Sequence, residues 1–198
     1  MRRFLSNRTL AVVSVGAVLA ASVSPLGAVD IFKARMLTGK APVEPPMVNV
    51  QIEVTSWTTP EEIRAFQQTL DLEGTDAFLA AFSRADKGVV RFMSTRGFNL
   101  PVHAALTVPT EKGKNILLFF NRQQWDSGAR QAVGRNFFMV IELKLNEKGK
   151  GEGRFYEDAR IRLDGGLGKI KMETYESAPK LFPQVQEIFK KAEEKKKK

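Results

Sequence analysis

Alternation of apolar and polar residues with a period of two runs through most of this chain and confines it to half-buried β-strands. Val48, Val50, Ile52 and Val54 alternate with Asn49, Gln51, Glu53 and Thr55. Phe137, Met139, Ile141, Leu143 and Leu145 repeat the pattern farther on, and it marks further strands over residues 88–95, 101–109, 115–122, 152–163 and 169–175. Turn residues separate them: Glu111-Lys112-Gly113-Lys114, the glycine-bearing stretch 146–151 and the Asp164-Gly165-Gly166-Leu167-Gly168 run. Successive hairpins of this kind build an antiparallel meander.

One segment breaks the pattern. Thr59-Pro60-Glu61-Glu62 combines an N-cap hydroxyl, proline at the first helical position and a glutamate placed to close a capping box. Ile63, Phe66 and Leu70 follow at helical spacing, and after Gly74 a second short helix, capped by Thr75 or Asp76, carries Phe78, Leu79 and Phe82. Trp57, just before the cap, is placed to pack helix onto sheet. The fold class expected is α+β: an antiparallel meander sheet or partly open β-barrel, with a short helical pair between the first two strands. Near the C-terminus, Pro183 can open a helix in which Val185, Ile188, Phe189 and Ala192 share a face, or residues 180–186 can add an edge strand; the helix is the expectation.

The ends of the chain read differently from its body. Arg2, Arg3 and Arg8 precede an uncharged, mostly apolar run over residues 10–23, and Pro25-Leu26-Gly27-Ala28 supplies a helix break and small residues. This is the pattern of a cleaved export signal over residues 1–28. The apolar run is shorter than the roughly 20 residues of a membrane-spanning helix, which favours a cleaved signal over the alternative, an uncleaved inner-membrane anchor. Residues 29–46, with Pro42, Pro45 and Pro46, read as an extended lead-in, residues 47–189 as a single domain, and residues 190–198 as a disordered lysine-rich tail. Cysteine is absent, so disulfides, thiolate metal sites and thiol catalysis are all excluded and the fold must be held by packing.

The formal charge of +9 invites a nucleic-acid reading. Most of it sits in the leader arginines and in the tail, where Lys190, Lys191 and Lys195 to Lys198 face only Glu193 and Glu194. The body is close to neutral and lacks the footprint that phosphate-backbone binding requires. Nucleic acid is therefore not an expected partner, whereas the tail can make weak, salt-screened contact with an anionic surface.

No assembled catalytic set is visible. His103 is the single histidine and alternates with Val102 and Ala104, which assigns it to the wetter face of a strand. One histidine without cysteine cannot build a typical zinc site, and no G-x-S-x-G nucleophile motif occurs. Gly149, Gly151, Gly153 and Gly168 lie between strands rather than between a strand and a helix, so they are hairpin glycines and not a phosphate loop. No cofactor or metal is indicated.

Two surfaces stand out as binding candidates. Residues 121–135 form a long connection that holds Arg122, Gln124, Trp125, Asp126 and Arg130, a set able to stack on a planar group and hold an anion. Arg160 and Arg162 on one strand and Lys169 and Lys171 on the next would project together, an arrangement that can take an anion unless acidic neighbours such as Asp158 and Glu173 neutralise it.

The Trp57 to Glu62 stretch, the strand Phe138-Met139-Val140-Ile141-Glu142-Leu143, the turn Gly149-Lys150-Gly151-Glu152-Gly153 and the Tyr175-Glu176-Ser177-Ala178-Pro179 end together resemble small exported bacterial proteins of uncharacterised function, over residues 47–182. The resemblance implies no activity and no catalytic residue. The expected function is a non-enzymatic exported envelope or secreted domain that binds or scaffolds an envelope component or small ligand. The alternative is a carboxylate-based hydrolase of envelope polymers using Asp126 or Glu142.

Overall fold

The computed structural model describes residues 29–37, 47–93, 98–122 and 137–188. The expected export signal over residues 1–28, Gln124, Trp125, Asp126, Arg130 and the lysine tail lie outside the described residues.

Ten strands and two helices follow in the order β1 (Asp30–Leu37), β2 (Met47–Val54), α1 (Pro60–Glu73), α2 (Thr75–Arg84), β3 (Gly88–Met93), β4 (Phe98–Val102), β5 (Ala104–Thr110), β6 (Gly113–Asn121), β7 (Phe138–Asn146), β8 (Lys150–Asp164), β9 (Lys169–Tyr175) and β10 (Lys180–Ile188). All described pairings are antiparallel, and the sheet runs β4-β3-β2-β1-β10-β8-β7-β6-β5, with β9 attached to β8. The α+β class and the meander therefore hold. The placement of the helical pair does not: the helices follow β2 and lie between the second and third strands. The reason is β1, whose residues were expected to be a lead-in and which pairs along its whole length with β2.

The C-terminal segment is also a strand where a helix was expected. β10 lies between β1 and β8 and joins two meanders, β1 to β4 and β5 to β9, into one sheet. Pro183 sits at a register shift between Phe182 and Val185, where a missing backbone donor interrupts no regular ladder bond.

The sheet has a core on each face. Phe32, Val50, Ile52, Val90, Phe92, Leu100, Val102, Ala105, Leu118, Phe120, Ile141, Phe155 and Phe182 belong to one buried cluster fed by both ends of the strand order. The ladder is open between β4 and β5, yet both edge strands contribute to this interior. On the opposite face Ile63 of α1 and Phe78, Leu79 and Phe82 of α2 pack with Phe119, Phe138, Val140, Tyr156, Leu163 and Ile170. The helical pair thus covers one patch of the outer face, and among the described residues no helix lies over the outer face of β1, β2 and β10.

Local signals explain the helix pair. Thr59 Oγ1 accepts from the Glu62 amide and Glu62 returns a carboxylate to the Thr59 amide, completing the capping box. Gly74 ends α1 at φ 88° and itself occupies the N-cap of α2, where no side chain forms a cap bond, so neither Thr75 nor Asp76 plays that part. Trp57 packs against the inner core and donates from Nε1 to Asp30 Oδ2 at 2.9 Å, tying the approach to α1 to the start of β1.

A cationic groove on the outer sheet face

Where β2, β1, β10 and β8 run side by side, their outward residues line up. Cross-strand register sets Gln51 opposite Lys33, Lys33 opposite Gln186, and Gln186 opposite Lys150. A second row sets Met93 of β3 opposite Asn49, Asn49 opposite Arg35, and Arg35 opposite Gln184. Each side chain faces outward because its strand neighbours Phe32, Ala34, Met36, Val48, Val50 and Val185 are buried in the inner core.

These rows line a groove of about 690 Å³. Its wall carries three cations, Lys33, Arg35 and Lys150, and four carboxamides, Asn49, Gln51, Gln184 and Gln186, with Met93 and Pro183 beside them. Among the described residues none of the three cations has a carboxylate within salt-bridge distance. The acids nearby are committed elsewhere. Glu53 pairs with Arg91 and accepts from Gln51 Nε2, and Glu187, turned inward from β10, pairs with Lys114 at 2.7 Å. Arg91 and Gln51 together hold the Glu53 carboxyl below the usual carboxylate range. Lys33 and Arg35 are two residues apart on one strand face, with Cα atoms about 7 Å apart. Their like charges repel weakly across this solvated face, and a bound anion would relieve that repulsion.

The residues singled out from sequence are distributed differently. Arg162 lies opposite Lys171, but Arg162 Nε is 3.3 Å from Glu173 and Lys171 Nζ is 4.0 Å from Asp164. A register shift that skips Glu173 on β9 sets Arg160 opposite Thr174, and Lys169 lies opposite Asp164. Arg122 pairs with Asp158 at 3.1 Å, at the root of the connection to β7. Glu142 faces outward between Lys144 at 3.7 Å and the Tyr156 hydroxyl, which donates over 3.5 Å. Burial pushes the Tyr156 phenol up despite an opposing hydrogen bond from Arg154. Asp126, the other carboxylate considered with Glu142, lies outside the described residues.

His103 is buried rather than on a wet face. It stands at the break between β4 and β5, which the sequence pattern runs together as one strand. Its amide donates to the Phe119 carbonyl, its Nδ1 donates to the Ala85 carbonyl over 2.9 Å, and its ring lies 5.6 Å from that of Phe82. Simple alternation fails here because the break leaves Ala104 and Ala105 both buried, one in each core. Among the described residues no group of three or more His, Cys, Asp or Glu is placed to hold a metal ion.

The groove itself carried a sequence signal that proline masked. Phe32-Lys33-Ala34-Arg35-Met36 alternates as a strand does, but Pro42, Pro45 and Pro46 colour the reading of the whole lead-in. No family model, curated protein or solved structure matches the chain.

Proposed function

We propose that this chain is an exported binding or scaffold domain that holds an anionic component of the cell envelope in the groove between β2 and β8. The observation that carries the reading is the grouping of Lys33, Arg35 and Lys150 in one hollow, each without a carboxylate partner among the described residues. The leader pattern of residues 1–28 supports export, and the lysine tail supplies a second, weaker attraction to the same kind of surface. In this reading the Arg160, Arg162, Lys169 and Lys171 face is subsidiary, because Glu173 and Asp164 screen it.

Salt-gradient elution from a carboxylate-bearing matrix tests the assignment. Lys33→Gln, Arg35→Gln and Lys150→Gln combined should elute markedly earlier than the parent chain. The combination of Arg160→Gln, Arg162→Gln, Lys169→Gln and Lys171→Gln, which removes more charge, should shift elution less. The opposite order would show that net charge, and not the groove, governs retention.

A further inference from the structure

Resting on the groove as the binding surface, we infer that its occupant is an acidic polysaccharide, a carboxylate-bearing glycan lying across the strands. Three features of the groove select this class. First, its cations alternate with carboxamides: Lys33 and Lys150 are two strands apart, with Gln186 between them and Gln51 on the far side of Lys33. Two strand spacings amount to about 9.6 Å, close to the rise of one disaccharide in an extended β-1,4-linked chain. Carboxylates recurring along such a chain would meet ammonium groups, and the hydroxyls between them would meet amides.

Second, a carboxamide offers both donor and acceptor, as a sugar hydroxyl does, and Asn49, Gln51, Gln184 and Gln186 together present that double capacity. Gln51 already gives one N–H to Glu53 and keeps its carbonyl for a ligand. Third, among the described residues the lining contains no aromatic side chain, so they offer no base-stacking platform for single-stranded nucleic acid. An acidic peptide is also poorly matched. The groove is a sheet face rather than a sheet edge, so no ladder of backbone donors and acceptors is on offer to a peptide main chain.

Calorimetric titration of the full chain with an oligomer of β-1,4-linked mannuronate tests this, with cellohexaose, oligoglutamate and a short polyphosphate as comparison ligands at the same ionic strength. The tail is kept in every variant, so its contribution is a constant background. Binding of the oligomannuronate is expected to weaken on the order of 30-fold in the Lys33→Gln, Arg35→Gln, Lys150→Gln variant. It should weaken about fivefold in Asn49→Ala, Gln186→Ala, which leaves every charge in place. Far-UV circular dichroism and an unchanged melting temperature establish that these surface variants fold. Tight binding of oligoglutamate or polyphosphate, or indifference to the amide substitutions, overturns the polysaccharide inference while leaving an anion-binding groove. Equal binding of cellohexaose overturns it as well, since charge would then play no part. If no anion distinguishes the triple variant from the parent chain, both the inference and the groove reading fall.

Discussion

Lys87 Nζ donates to Glu62 Oε1 over 2.5 Å, while the other oxygen of the same carboxylate accepts the Thr59 amide at 2.8 Å. One glutamate therefore closes the capping box of α1 and neutralises a lysine whose side chain is 9% exposed at the entrance to β3. The helix start and the sheet are locked by a shared group.

Removing the charge from each side should have unequal effects. Glu62→Gln leaves a buried ammonium without its partner and should lower stability by about 2 kcal/mol, whereas Lys87→Met, which replaces the ammonium with an apolar group of similar length, should cost under about 1 kcal/mol. Urea denaturation of both variants measures the difference. Equal losses would show that Lys87 is hydrated in solution and that the pair contributes little.

Two glycines with positive φ separate backbone strain from steric clash. A Cβ on Gly88, at φ 137°, would lie 1.9 Å from the Glu53 carbonyl oxygen on the paired strand. A Cβ on Gly74, at φ 88°, meets nothing within 4 Å. Gly74→Ala should therefore cost about 1–3 kcal/mol from conformation alone, and Gly88→Ala more than that, with loss of β2–β3 pairing. Thermal melts that rank them the other way would contradict the close approach of these strands.

Phe82 gathers the helical pair onto the sheet: its ring centroid lies 5.5 Å from Phe66, 5.7 Å from Phe78, 5.4 Å from Phe138 and 5.6 Å from His103. Phe82→Ala should cost about 3–5 kcal/mol. Because the inner core is a separate cluster, hydrogen exchange should rise first in α1 and α2 while β1, β2 and β10 stay protected. Uniform deprotection of all strands would mean that the two cores unfold as one.

Glu53 makes acid stability sensitive to Arg91. Because its folded-state pKa is depressed, chiefly by the Arg91 hydrogen bond, its stabilising effect is fully present above the unfolded value of about 4.3 and is lost as pH falls through the lower folded value. The stability difference between the parent chain and Glu53→Gln should accordingly be constant from pH 7 to pH 5 and shrink below that. A difference that stays level down to pH 2 would remove the ion pair from the account.

Deleting residues 180–198 should abolish cooperative unfolding. β10 is the strand through which β1 and β8 are joined, and Phe182 and Val185 would leave the inner core with it. Retention of a sharp melting transition in the truncated chain would show that the two meanders close without it.

Much of this arrangement was legible in the order of residues, because it depends on near neighbours. Val48 to Val54 alternates and forms β2; Thr59 to Glu62 carries its own cap and starts α1; Asn146 accepts from the amides of Lys148 and Lys150 and closes the turn into β8. The neutralising acid Glu173 was likewise visible as a near neighbour of Lys171. The groove was not legible in the same way. Lys33 acquires its meaning only when Gln51 and Gln186 flank it, and Gln186 belongs to a segment whose proline suggested a helix start.

What the sequence by itself determined is the class of the fold, the pair of helices with its capped start at Thr59, and the hairpin connections, since period-two burial and turn chemistry act over a few residues. Tertiary structure alone decided that β1 and β10 pair, that His103 is buried at a break in the sheet, and that Lys33 and Arg35 of β1 share one hollow with Lys150 of β8. The physical reason is that sheet pairing is non-local: which edges meet depends on burying two faces at once, and no window of neighbouring residues encodes that choice.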